Sequence, residues 1–319
     1  MEGATLTQPD VSICLLCGGV GGARAALALA ENLPPQSLTF VVNTGDDFTH
    51  LGLEVWPDWD TLLYTLSGTG DAARGWGRAD EGTKAMEEFT RLGAPDWFHL
   101  GDRDLALHVV RTWQLAQASP DTVARDLLER FGLSIPMLRA TRQSLATKLR
   151  LQDGSLMDFQ TWFVGHQGRP KVVAVEVPGA AEAQMTDGVL TAIRDCDLLL
   201  FAPSNPYLSL FPMLEVPQLA EAVKARTRAT WTVSPLLDGK AVKGPLDALI
   251  AELSPHTGQR AVLQWYTPWT DRLLLPAGEA EALSSDSVVI SGCRTRLGSP
   301  EQRAEFAADL LRLWKERSV

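Results

Sequence analysis

The 319-residue chain has four cysteines, five histidines, three tyrosines and no long unbroken apolar run. Four thiols (Cys14, Cys17, Cys196, Cys293) cannot staple a chain of this length, which excludes a disulfide-built fold. Cys14 and Cys17 have CxxC spacing, but they sit inside an apolar stretch where buried thiols are the ordinary outcome and a redox or metal motif the exception. No segment approaches the roughly 20 apolar residues of a membrane-crossing helix, so no membrane partner is expected. Basic residues are outnumbered, 29 Lys and Arg against 39 Asp and Glu, and the net charge of −10 argues against a nucleic-acid partner. The first ten residues lack the basic, apolar, small-residue order of a signal peptide, so a cytoplasmic protein is expected. Repeats, heptads and low-complexity tracts are also missing. What is plentiful is apolar surface: 45% of residues are hydrophobic, enough for one large core.

Apolar runs and helical stretches alternate along the chain. Residues 11–17 read as a strand, 18–22 as a glycine turn, 23–32 as an alanine- and leucine-rich helix, and 38–43 as a second strand after Pro34-Pro35. This is a β-α-β unit, whose strands should be parallel. Later strands are predicted at 172–177, 198–202, 229–233 and 287–290. Helical spacing fills 59–66, 80–92, 104–118 and 120–131, and 300–317 is an amphipathic helix suited to packing on a sheet. The pattern predicts an α/β fold: one Rossmann-like domain over 1–319, with a doubly wound, mostly parallel sheet. A helical insertion or lid spans 59–140, and the core resumes near 145.

The polar clusters fall at strand ends, where open α/β sheets bind ligands. Gly18, Gly19, Gly21 and Gly22 join a strand to a helix, the setting in which backbone N–H groups and the helix dipole favour an anion. No Gly-Lys-Ser/Thr follows and the spacing is not GxGxxG, so neither a Walker A loop nor a dinucleotide fingerprint is present. Arg24 either adds a charge-assisted contact or faces solvent. After the second strand come Asn43-Thr44-Gly45-Asp46-Asp47, then Pro57-Asp58-Trp59-Asp60-Thr61. Four carboxylates beside a phosphate loop repel one another, and Mg²⁺ would resolve that with one or two carboxylates plus phosphate oxygens. The alternative makes Asp46 and Asp60 helix caps and leaves Asp47 and Asp58 in solvent. Trp76, Trp97, Phe98, His99, Arg103 and His108 add aromatic faces, a possible base and a cation. Ser204 and Asn205 follow a very apolar strand and are read as free to bond a ligand. Lys240 and Lys243 follow the next.

Seven segments in order carry a resemblance: Gly18 to Arg24, Asn43 to Asp47, Pro57 to Leu66, Gly75-Trp76-Gly77, Leu100 to Ala106, Pro203-Ser204-Asn205-Pro206 and Gly239 to Pro245. Together they resemble the 2-phospho-L-lactate transferase (CofD/FbiA-like) family of coenzyme F-420 biosynthesis, from residue 11 to about 250. The resemblance implies transfer of a phospho-carboxylate group from a guanosine diphosphate-linked donor to the ribityl hydroxyl of the deazaflavin FO, with release of GMP. It implies that Asp46 and Asp60 hold Mg²⁺ or orient the hydroxyl, with Asp47 beside them. It assigns the glycine loop with Arg24, Ser204, Asn205 and Lys243 to the donor, the segment from Trp76 to Arg103 to the deazaflavin pocket, and a homodimer to the assembly, with Asn43 and Thr44 as further binding residues. The chain departs from the family at Gln143-Ser144 and at Ser291-Gly292-Cys293-Arg294-Thr295. That leaves the donor's acid open among lactyl, phosphoenolpyruvyl and 3-phosphoglyceryl. Two other readings stand beside this one: a regulatory nucleotide-sugar-binding protein of a related glycine-loop family, and an NAD(P)-dependent dehydrogenase.

Overall fold

A computed structural model describes residues 11–317; the first ten residues, where no signal peptide is expected, lie outside the described residues. The chain opens with β1 (Ile13–Cys17), α1 (Gly19–Asn32) and β2 (Leu38–Val42), followed by a small hairpin of β3 (Phe48–His50) and β4 (Leu53–Val55). Four helices come next: α2 (Pro57–Leu66), α3 (Lys84–Arg91), α4 (Asp102–Leu115) and α5 (Pro120–Arg130). Then come β5 (Met137–Arg139), β6 (Lys148–Leu151), β7 (Leu156–Asp158), β8 (Val172–Glu176), α6 (Val189–Asp195) and β9 (Leu198–Phe201). The remainder runs through α7 (Phe211–Leu214), α8 (Pro217–Lys224), β10 (Ala229–Val233), the short hairpin β11 (Leu236–Leu237) and β12 (Lys240–Ala241), α9 (Leu246–Leu253) and α10 (Gly258–Tyr266). It ends with β13 (Arg272–Leu275), α11 (Ala277–Ala280), β14 (Val289–Gly292) and α12 (Pro300–Glu316).

Seven strands form one sheet in the order β14-β13-β10-β9-β1-β2-β5, and every neighbouring pair is parallel. This is the doubly wound Rossmann-like order, with the direction of winding reversing at β1. Parallel strands covered on both faces read as continuous apolar runs, which is why all five residues of Ile13–Cys17 and all four of Leu198–Phe201 are buried. One face of the sheet is covered by α1, α2 and α12, with Ala25, Ala26 and Ala28 allowing close approach. The other face carries α6, α8 and α10. Helix α12 starts with a capping box between Ser299 and Gln302 and buries Phe306, Leu310 and Trp314, the last of these 6.0 Å from Trp231.

Three sequence expectations change. Val172–Glu176 belongs not to the main sheet but to a separate antiparallel sheet with β6 and β7, because an apolar run does not reveal which sheet it joins. The central sheet resumes earlier than 145, at Met137–Arg139, and gains Arg272–Leu275 in a region without an assigned strand. Helix α1 begins at Gly19, so three of the glycines lie inside its first turn rather than in a turn before it. All four cysteines are buried and free. Among the described residues no helix is long and apolar enough to cross a membrane.

Candidate functional site

A cleft of about 910 Å³ lies along the carboxyl ends of the sheet strands and is lined by residues following β1, β2, β9, β10 and β14. Its floor is the start of α1. The Gly18 amide donates to Ser204 Oγ (3.1 Å), whose hydroxyl donates back to the Gly18 carbonyl (2.7 Å). The Gly19 amide donates to Asp58 Oδ1 at 2.6 Å. A Cβ on Gly18 would stand 2.3 Å from Asp58 Oδ2, and one on Gly21 would stand 2.1 Å from the Pro203 carbonyl, so glycine is required at both. Val20 and Gly21 border the cleft in the first turn of α1, where backbone amides lack an intrahelical acceptor, as at any helix start.

Asp58 and Asp60 occupy the first turn of α2, where carboxylates complement the helix dipole and Pro57 fits the first position. Asp46 and Asp47 occupy the turn after β2. The four carboxylates then separate into two kinds. Asn43 Nδ2 donates to Asp58 Oδ2 (2.9 Å) and reaches Asp46 Oδ1 (3.4 Å), drawing these two together at the cleft floor. Burial pushes the Asp46 carboxyl well up, with Asp58 and Asp47 adding repulsion; burial raises Asp58 to about 6 against hydrogen bonds from Asn43 and Gly19. Asp60 is instead gripped by Arg111 through both oxygens, one of them at 2.9 Å. Asp47 stands 2.9 Å from Arg139 Nη1 in an ion contact with a poorly aligned N–H, and accepts from Ser144 Oγ. Burial raises Asp47 to about 7 even with both arginines opposing it. Neither Asp47 nor Asp58 is solvated, at 1% and 4% exposure.

Among the described residues no group of three or more His, Cys, Asp or Glu side chains is arranged to hold a metal ion. Two buried carboxylates meeting without a cation are nonetheless a donor set that suits one hard divalent ion completed by phosphate oxygens and water. By that test Asp46 and Asp58 fit, because their oxygens accept only from neutral amides and keep lone pairs for a cation, while both Asp60 oxygens are already neutralised by the Arg111 guanidinium.

On one side of the floor, Tyr64 donates to Asp104 Oδ1 at 2.5 Å, and His108 Nε2 lies 3.5 Å from the same oxygen. Burial raises Asp104 to about 6 and lowers His108 to about 4, so the imidazole is neutral. Beyond them is an aromatic wall. Trp97 and Phe98 pack edge to face at 5.6 Å and Phe98 meets Phe48 at 4.9 Å, while Phe159 and Phe163 stack at 5.7 Å. The loop carrying Trp76 borders the cleft, with Arg74 5.0 Å above the indole and Lys243 Nζ donating to the Arg74 carbonyl at 2.5 Å.

The structure brings together Gly18, Gly19, Gly21, Arg24, Asp46, Asp60, Trp76, Ser204, Asn205 and Lys243 along one cleft. Gly22, Asn43, Thr44, Asp47 and Arg103 are placed outside it: Thr44 bonds Thr141 (2.6 Å), and Arg103 is exposed on α4. Ser204, read as free for a ligand, has its hydroxyl engaged on Gly18, and Asn205 uses its oxygen to cap Tyr207 and Leu208. Sequence reasoning missed Arg111 and Arg139 and did not single out Asp58. Asp104, His108 and Arg111 recur at helical spacing on one face of α4, a signal that was present.

Residues 13–291 match the family described as 2-phospho-L-lactate transferase CofD. The chain belongs to that family. The phosphoenolpyruvate transferase of Thermobifida fusca is 35% identical over 96% of this transferase and 99% of its own length. The protein of the same name from Streptomyces coelicolor is 33% identical over 95% and 98%. A Bacillus halodurans protein of the UPF0052 family shares the fold, with a TM-score of 0.54, 16% identity and 88% of this transferase covered by 87% of that chain. The relatives place this transferase in coenzyme F-420 biosynthesis.

Proposed function

We propose that the protein transfers a phosphoenolpyruvyl group from a guanosine diphosphate-linked donor to the terminal ribityl hydroxyl of FO, releasing GMP. The observation that carries this reading is the Asp46 and Asp58 pair at a helix start, inside a cleft with an aromatic wall. The relatives' name supports phosphoenolpyruvyl over lactyl and 3-phosphoglyceryl.

The hydroxyl oxygen bonds to the phosphorus bearing the acid, and the bond from that phosphorus to the GMP oxygen breaks. Such a transfer needs positioning and neutralisation of charge more than a covalent nucleophile. The Val20 and Gly21 amides, Arg24 and Lys243 hold donor phosphates. Trp97, Phe98, Phe159 and Phe163 flank the planar deazaflavin, with Trp76 at the cleft border. Asp104, raised to about 6 and steadied by Tyr64, takes the proton released by the hydroxyl. Asp46 and Asp58 would hold Mg²⁺, which neutralises phosphate charge when bound.

Purified protein is incubated with FO, Mg²⁺ and each of the three guanylylated donors while GMP release is followed. Turnover with the phosphoenolpyruvyl donor is expected. Release of no GMP with any donor would sink the transfer reading, and hydride transfer from bound NAD would replace it with a dehydrogenase.

A further inference from the structure

Behind the cleft floor lies a buried layer that does not line the cleft. Trp56 immediately precedes α2 and is 1% exposed. Its ring carries two guanidinium groups, Arg139 Cζ at 3.7 Å and Arg111 Cζ at 4.4 Å from the centroid. The arginines come from β5 and α4 and are themselves 1% and 0% exposed. Each continues to a carboxylate: Arg139 to Asp47, and Arg111 to Asp60. Asp47 is the chain neighbour of Asp46. Asp60 shares the first turn of α2 with Asp58. Among the described residues, Nε of both arginines has no hydrogen-bond partner. Two desolvated cations with unfilled donors add little to stability compared with an apolar packing of the same volume. Their arrangement suits control of geometry.

We propose that Arg111, Trp56 and Arg139 form a brace that sets the spacing and orientation of Asp46 and Asp58. Arg139 fixes the turn after β2 through Asp47. Arg111 fixes the start of α2 through Asp60. The Trp56 ring fixes the two guanidiniums relative to each other. Neither arginine borders the cleft, so both are positioning residues. The inference rests on the reading that Asp46 and Asp58 hold the divalent ion. A site for an ion as exacting as Mg²⁺ must be held to within about 0.5 Å, which two carboxylates on separate elements cannot secure alone.

The test uses the full chain. Mn²⁺ alone is titrated by electron paramagnetic resonance, and kcat and the KM for FO are measured with the phosphoenolpyruvyl donor. Arg111→Lys, Arg139→Lys and Trp56→Phe should each weaken Mn²⁺ binding by about 10- to 100-fold, the range for residues that orient metal ligands. Their kcat should fall in step and recover partly at raised Mg²⁺, with the KM for FO unchanged. Should a lysine variant fail to fold, the paired replacement Arg111→Met with Asp60→Leu removes both charges and keeps the volume; it should fold and still lose Mn²⁺ affinity. Folded variants with wild-type Mn²⁺ affinity and kcat would overturn the brace. A wild-type protein that binds no Mn²⁺ and turns over in excess chelator would instead remove the cation reading on which the brace depends.

Discussion

Asp46 and Asp47 are adjacent in the chain, and Asp58 and Asp60 are separated by the single residue Trp59, yet in each pair one carboxylate sits on the cleft floor and the other is paired with a buried arginine. Asp46 and Asp58 share the Asn43 amide and, among the described residues, form no ion pair with a cationic side chain. Asp47 and Asp60 oppose Arg139 and Arg111. The two members differ by one step of backbone rotation in a turn, or by two residues of helix. That is enough to separate a site from its support. Burial alone does not distinguish them, since all four are buried; what distinguishes them is whether a positive charge is built in.

The largest expected effect comes from breaking the supporting pair. Asp60→Asn leaves Arg111 buried without its counter-charge and should cost about 3–5 kcal/mol of stability, read from urea unfolding. Asp46→Asn, on the cleft-facing side, should lower kcat by about 10²- to 10³-fold with the urea midpoint unchanged or higher, because it removes one of two like buried charges. Equal loss of stability in the two variants would erase the distinction. His108, which lines the cleft and lies 3.8 Å from the supporting Asp60, gives a smaller effect through pH. Its pKa falls from the usual 6.5 to about 4 on folding, chiefly by burial. Between those values the unfolded chain binds the extra proton, so stability falls as pH drops from 6.5 to 4, by up to about 3 kcal/mol. His108→Gln should flatten that acid limb in chemical denaturation measured across the range. Lys243→Ala touches only the rim and should raise the KM for the donor by no more than about fivefold, since an exposed cation contributes about 1 kcal/mol or less.

The β-α-β opening, the strands before the polar loops and the carboxy-terminal helix were legible because each is an uninterrupted apolar or periodic run. Met137–Arg139 was not, because three residues at a sheet edge carry no periodicity. The start of α1 was hidden by glycines, whose poor helix propensity is overridden here by close approaches to Asp58 and Pro203. At the site, the two aspartate motifs were legible as a cluster, but the division of labour within it was not. It depends on Arg111 and Arg139, which reach the aspartates only through tertiary packing. Arg103 shows the same limit at one residue's resolution. It precedes Asp104, and one residue on α4 is about 100° of rotation, so Asp104 turns to the cleft and Arg103 to solvent.

Ser204 takes both backbone groups of Gly18 across a separation of 186 residues, and Asp58 takes the Gly19 amide across 39. The floor proposed to hold donor phosphates is therefore a junction of the ends of β1 and β9 with the start of α2, not a property of its own short peptide. During refolding it exists only after β1 and β9 are side by side, and contacts so distant in sequence are among the slowest to form. Nucleotide affinity should consequently emerge late, together with the last long-range pairing of the sheet. A fragment ending before residue 204 would keep the whole glycine motif but lack the hydroxyl that holds both backbone groups of Gly18.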